Sequence, residues 1–381
     1  MNSGLGHRPS WAEISASALA NNVAAIKAVI APTMLCGVVK ANAYGHGTTL
    51  VARTILDAGA EWLAVATVEE GIELREAGVG VPILLLAEIP EESMREALAN
   101  SLTLTVGSLE GARAARAQCE ERGGVHRVHV KVDTGMHRMG VDPQHVTEVV
   151  ALLNSSSAVD VEGLWTHLSV ADSSSAEQRS FTRGQIERFD AVVEELGAQC
   201  PRLRHLANSA GALAYPSARR ELARVGLALY GYLPEPWLES ALDERGVALS
   251  PAMTLRARVV AVRRVRAGER PSYGRRRALL RDSNIVTVPF GYADGFARRL
   301  FDAGAQVLIN GRRYPLAGVV TMDQLVVDVG DDDVKIGDDV VLLGRQGDEE
   351  ISADEWAQHA GTITWEILCA VGARVPRVLV D

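Results

Sequence analysis

Lys40 stands where an apolar run, Met34 to Val39 with Gly37 inside it, gives way to the loop Tyr44-Gly45-His46-Gly47. The run reads as a buried strand, and an ionisable group at its end is costly to bury. A lysine so placed can be desolvated enough to stay partly neutral, and a neutral amine forms a Schiff base with an aldehyde. A lysine whose ammonium snorkels to solvent fits the same position. Other polar groups close later apolar runs in the same way. They are Lys131 and Asp133 with Arg138 just beyond, His167, and Asn208 with Ser209, while Arg224 sits within the eighth run, just before Gly226.

The elements that must position these groups follow a regular alternation. Apolar runs start near Met34, Trp62, Ile83, Leu102, Arg127, Val161, Leu203 and Leu222, with helical patterns between them. Thr67-Val68-Glu69-Glu70 has the form of a capping box, and a further helix begins at Ser108. Eight strand–helix units in about 200 residues predict a parallel (β/α)8 barrel, with a doubly wound sheet as the alternative. The barrel gathers the polar strand ends at one mouth, where such folds keep their chemistry. Leu233-Pro234-Glu235-Pro236 reads as a linker, and from Met253 to Ala261 the pattern has period two, as in a half-exposed strand. Asn310-Gly311 between apolar runs signals a hairpin. The expected organisation is α/β: a barrel over 1–245, a linker at about 232–250, and a predominantly β domain over 246–381.

Bulk composition narrows the partners. The chain has 381 residues, 47% hydrophobic and 23% charged, which fits two globular domains. A net charge of −9 argues against a nucleic-acid partner, since phosphate-backbone binding needs a basic surface. Cys36, Cys119, Cys200 and Cys369 have no Cys-x-x-Cys or zinc-finger spacing and read as reduced buried thiols. Met1 to Ser10 lacks an apolar leader segment, and no run has the length of a membrane span, so no membrane partner is expected and the cytoplasm is the simplest address.

The decapeptide Val38-Val39-Lys40-Ala41-Asn42-Ala43-Tyr44-Gly45-His46-Gly47 closely resembles the pyridoxal-phosphate (PLP) lysine motif of alanine racemases. Further segments resemble the same family, in order, from about Trp11 to Arg377. They include Lys131-Val-Asp133-Thr-Gly-Met-His-Arg138, Trp165-Thr-His167, Ala207-Asn208-Ser209-Ala210, Arg224-Val-Gly226-Leu227, Ser272-Tyr273-Gly274, Gly291-Tyr292-Ala-Asp294-Gly295 and Met322-Asp323-Gln324. The resemblance implies a barrel followed by a β domain, a homodimer with active sites shared between subunits, an amino-acid substrate, and interconversion of L- and D-alanine for peptidoglycan. It implies Lys40 as cofactor anchor and one base, and Tyr273, lent by the other subunit, as the second base. Tyr44, Ser209, Gly226 and Leu227 match the phosphate contacts, while His167 and Asn208 fall in matching segments of the cofactor site. Arg224 takes the place against the pyridine nitrogen, where a guanidinium keeps its own proton. Arg138 and Met322 match the substrate-carboxylate contacts, Tyr292 lines the entry, and Lys131 matches a lysine that is carbamylated in many relatives.

One departure bears on selectivity. Trp365 stands where relatives commonly carry a tyrosine that donates to the phosphate and narrows the inner gate, and an indole has only its N–H to give. A racemase acting on another amino acid, such as serine, is therefore an alternative. A PLP decarboxylase would want an acidic group in place of Arg224. A non-catalytic PLP-binding barrel would lack the β domain and Tyr273.

Overall fold

The structure, a computed structural model, describes residues 7–381, so most of the Met1 to Ser10 segment, expected to lack an apolar leader, lies outside the described residues. The chain divides into two compact units. One comprises Ser17–Ala43 and Thr48–Ser250; the other comprises 7–16, Tyr44–Gly47 and Pro251–Asp381. β1 (Ser10–Ser15) belongs to the second unit.

The first unit is the parallel α/β barrel. Its strands are β2 (Met34–Val38), β3 (Trp62–Val65), β4 (Ile83–Leu85), β5 (Leu104–Val106), β6 (His126–Lys131), β7 (Val159–Trp165), β8 (Leu203–His205) and β9 (Leu222–Val225). Parallel pairing runs β4-β3-β2-β9 and β5-β6-β7-β8. A parallel bridge between Leu84 and Thr103 joins β4 to β5, and the Arg224 N–H donates to Ala207 O at 3.0 Å beside β8. The apolar runs become strands because both faces are covered, so Val, Leu and Ile fill them without alternation. Helix Val68–Glu76 starts on a Thr67 capping box, and helix Leu109–Arg122 starts on the Ser108 hydroxyl, as their sequences predict.

The stretch read as a linker carries short helical turns, Pro236–Glu239 and Ser240–Asp243. It is tied down within this unit. Trp237 Nε1 donates to Asp172 O at 2.6 Å, and Ser250 N donates to Asn22 Oδ1 at 2.8 Å.

The second unit is mainly β. Its strands are β10 (Met253–Arg258), β11 (Ala261–Val265), β12 (Ser283–Val288), β13 (Gln306–Ile309), β14 (Arg312–Pro315), β15 (Leu325–Gly330), β16 (Asp339–Gln346), β17 (Glu349–Ile351) and β18 (Arg377–Val380). One sheet runs β14-β13-β16-β10-β1-β18, with β17 on β16; another runs β11-β12-β15. Asn310-Gly311 makes the hairpin between β13 and β14, with φ of 51° and 75°, the left-handed pair that a tight two-residue turn needs. The single alternating strand expected from Met253 to Ala261 is two strands in two sheets. The break comes where Val259 N donates to Asp338 O and Val260 N to Thr287 O, so consecutive residues bond to different partners. Buried and exposed residues alternate in β10 but not in β11, where Ala261 to Arg264 are all exposed, and the change of partner itself leaves no mark in the sequence pattern. Of the four thiols, Cys36 and Cys119 are buried as expected, whereas Cys200 is half-buried and Cys369 exposed.

Candidate active site

Lys40 follows β2 at its carboxyl end and opens a turn of unusual hand. Ala41, Asn42 and Ala43 all have φ and ψ near +50°, a conformation that costs roughly 1–2 kcal/mol per non-glycine residue. Side chains over-determine it. Glu70 Oε1 accepts from Ala41 N at 2.6 Å, and Asn42 Oδ1 accepts from Thr48 N at 3.0 Å.

The other strand ends carry the groups expected there. Lys131 is the last residue of β6 and is buried. Asp133, two residues on, accepts from the backbone N–H groups of Gly135, Met136 and His137 at 2.9–3.1 Å. Burial works to raise its carboxyl, but those three donors outweigh it and hold it below the usual range. The loop so fixed presents Arg138, which is exposed. Burial pushes the Lys131 amine down to about 8, with Arg138, Arg224 and Lys40 adding repulsion. His167 lies two residues beyond β7. Burial, then Arg224, Arg138, Lys131 and Lys40, keep it far below an ordinary histidine. Lys40, Lys131, Arg138, His167 and Arg224 thus feel one another electrostatically at one electropositive mouth, suited to an anion.

Arg224, in β9, is almost wholly buried. Its Nη1 donates to His205 Nδ1 (2.8 Å) and His205 O (2.9 Å); its Nη2 donates to Thr166 O (2.8 Å) and Leu206 O (3.2 Å) and reaches His167 Nδ1 (3.4 Å). A guanidinium only donates, so the His167 proton sits on Nε2. Arg224 Nε–H donates to no protein acceptor among the described residues. Burial lowers the guanidinium to about 10, which leaves it a cation at neutral pH.

Nearby, Asn208 caps helix Ser209–Ala214 by accepting from Gly211 N at 2.9 Å. Ser209 Oγ accepts from Gly226 N at 3.1 Å. The Ser209 hydroxyl and the backbone of Gly226 and Leu227 therefore lie together, where β9 ends.

The remaining predicted residues belong to the second unit. Tyr44 is buried, and burial raises its phenol, with Cys369 adding to the effect. Tyr273 is 73% exposed, while Tyr292 and Met322 are also exposed. Trp365 is half-buried in helix Thr364–Cys369. Tyr292 and Met322 sit on two turns locked together. Tyr292 N donates to Thr321 O and Ala293 N to Met322 O, and a Cβ on Gly291 would lie 2.3 Å from Met322 O, so only glycine fits. The buried Asp294 carboxylate pairs with Arg8 (2.6 Å) and Arg374 (3.0 Å), and Arg374 reaches on to Asp323.

Comparison with known proteins gives the family of the chain. The family profile for the alanine racemase N-terminal domain matches residues 14–234, and that for the alanine racemase C-terminal domain matches 252–379. The chain belongs to the alanine racemase family. An alanine racemase of Symbiobacterium thermophilum is 44% identical over 98% of this chain and 97% of its own. The crystal structure of alanine racemase from Streptomyces lavendulae superposes with a TM-score of 0.90 at 37% identity, over 99% and 98% of the two chains. A histidine racemase from Leuconostoc mesenteroides has a TM-score of 0.89 at 27% identity, covering both chains fully.

Within this family fold, Trp165, from a matching segment, stands beside Arg224 with two buried histidines that lie in no matching segment. Trp165 is a cation platform, with Arg224 Cζ 4.4 Å and Lys131 Nζ 4.6 Å from its ring centre. His205 stacks on the same indole with ring centres 5.6 Å apart. His129 touches His205. The available signal was positional: His129 lies two residues before Lys131 in β6, on the same face of the strand.

Proposed function

We propose that this protein interconverts L- and D-alanine using pyridoxal 5'-phosphate, supplying D-alanine for peptidoglycan from the reducing cytoplasm. The observation that carries the reading is the buried Arg224, held by five contacts yet keeping its Nε–H uncommitted, at a mouth that also holds Lys40, Lys131 and Arg138. Such a donor set fits an anionic aromatic with a ring-nitrogen acceptor. When bound, PLP supplies an electron sink for negative charge at the substrate α-carbon.

The chain's own groups would do the rest. Lys40 anchors the cofactor and carries the α-proton on one face. Tyr273, from a second copy of the chain, carries it on the other; a phenol needs positive charge nearby to act as a base. Arg138 and the Met322 backbone of the second copy hold the substrate carboxylate, and Tyr292 lines the entry. Tyr44, Ser209 and the amides of Gly226 and Leu227 hold the phosphate, beside His167 and Asn208. Arg224 directs a proton it does not release at the ring nitrogen, which favours return of the proton to the α-carbon. Carbamylation of Lys131 would turn a cation into an anion able to fix Arg138 by a charge-assisted pair.

Trp365 favours one further reading, racemisation of another amino acid, and the likeness to a histidine racemase shows that this fold accommodates such a change. A chiral assay of the purified chain with PLP, offering each common L-amino acid, separates the two, with alanine expected to turn over fastest. Lys40→Ala should abolish the visible absorption of bound PLP; an unchanged spectrum would refute the anchor.

A further inference from the structure

Behind Arg224, towards the amino ends of the strands, lies a chain of buried polar groups that the proposed chemistry does not use. Arg224 Nη1 donates to His205 Nδ1 at 2.8 Å, His205 Nε2 lies 2.9 Å from His129 Nδ1, and His129 Nε2 lies 3.4 Å from Glu162 Oε2. The donor directions follow from one end. A guanidinium has no acceptor, so His205 Nδ1 accepts and its proton sits on Nε2. That proton points at His129 Nδ1, which must accept in turn. The His129 proton is then on Nε2, aimed at the Glu162 carboxylate. Burial, with Arg224 and His129 adding, keeps His205 neutral. Burial also lowers His129, against the pull of Glu162.

The fold makes room for this chain. β7 bulges opposite His129: Val128 pairs with Val161 and His129 with Gly163, which leaves Glu162 as the extra residue. A bulge re-aims a side chain. A Cβ on Gly163 would lie 2.4 Å from His129 Nδ1, so the imidazole fills space that any other residue would take. Glu162 is 4% exposed, and Arg202 secures its other oxygen at 2.6 Å. Among the described residues, none of the protein groups bonded to Arg224 is a carboxylate. Glu162 is the carboxylate that ends its hydrogen-bond chain, and a buried cation with no anion to answer it is costly.

We infer that Glu162, His129 and His205 form a positioning relay for Arg224, carrying the carboxylate charge through two neutral rings of fixed tautomer so that the guanidinium keeps one orientation. Only the final link, from Arg224 Nε–H to the cofactor ring nitrogen, rests on the function proposed above.

The test has two arms. Neutron diffraction from crystals of the full chain without added PLP should place the hydrogen of both His129 and His205 on Nε2. A hydrogen on His205 Nδ1, or a doubly protonated ring, overturns the relay whatever the cofactor. In the second arm, racemisation by the PLP-loaded protein is compared for Glu162→Gln, which keeps shape and loses charge, and Glu162→Asp, which does the reverse. The relay predicts that Gln lowers kcat about tenfold with KM nearly unchanged, and that Asp retains more activity than Gln. The opposite order, expected if Glu162 merely fills space, overturns it. If the wild-type chain takes up no PLP, the proposed function fails, and the hydrogen positions still decide the relay.

Discussion

Lys131 shows how far burial and neighbouring charge move a single group. Its amine sits at about 8 in the folded protein against an ordinary 10.5. Between those values the unfolded chain holds the extra proton, so stability rises with pH across the window. Below pH 8 both states are protonated and the full penalty remains. In carbonate-free buffer Lys131→Met is expected to stabilise the protein at pH 7 by about 1–3 kcal/mol. It should also flatten the rise in stability between pH 8 and 10.5, and denaturant titrations at three pH values check both effects. Which residues crowd this mouth was legible in part. Lys40, Lys131 and His167 announce themselves by closing apolar runs, and Arg224 by interrupting one. Glu162 and His129 do not, because a histidine inside an apolar strand reads as core, and a bulge depends on the register between two strands.

At the scale of elements, the left-handed turn after Lys40 is the most strained piece of backbone in the barrel unit. Ala41 is exposed and has φ of 53°, so Ala41→Gly removes a steric penalty without leaving a cavity. Net of the added freedom of the unfolded chain, the variant should be more stable by about 0.5–1 kcal/mol. It should also turn over more slowly, because the loosened turn no longer fixes Lys40. Thermal denaturation and steady-state rates should therefore move in opposite senses, and a variant that loses stability would contradict the strain argument. The eight barrel strands were readable because each is a short apolar run bounded by turn or cap residues. The division of Met253–Ala261 between two sheets was not, since the change of partner at Val259 and Val260 leaves no mark in the sequence pattern. β1 was equally hidden: it pairs with β10, through Ser10 and Ala257, and no local pattern announces a pairing over that separation.

For the whole molecule, the proposal that two copies share each site makes a quantitative claim. Lys40→Ala lacks the anchor and Tyr273→Phe lacks the second base, so each variant alone should be nearly inactive. Mixed and allowed to exchange subunits, they form hybrids in which one site has Lys40 from one chain and Tyr273 from the other, while the second site lacks both. With random pairing, half the dimers are hybrids and half their sites are intact, so activity should recover to about a quarter of wild type. No recovery, with exchange verified by mass spectrometry, would place both groups in a single chain.

β1 also ties the chain's beginning to its end. It lies between β10 and β18, parallel to the latter, with Ser15 opposite Val380. Arg377, in β18, also donates to Gly45 O in the loop after the lysine turn. During synthesis, β1 and that loop both wait for β18, which is made after every barrel strand. A chain cut before Arg377 would hold every barrel strand but lack β18 and the bond from Arg377 to Gly45.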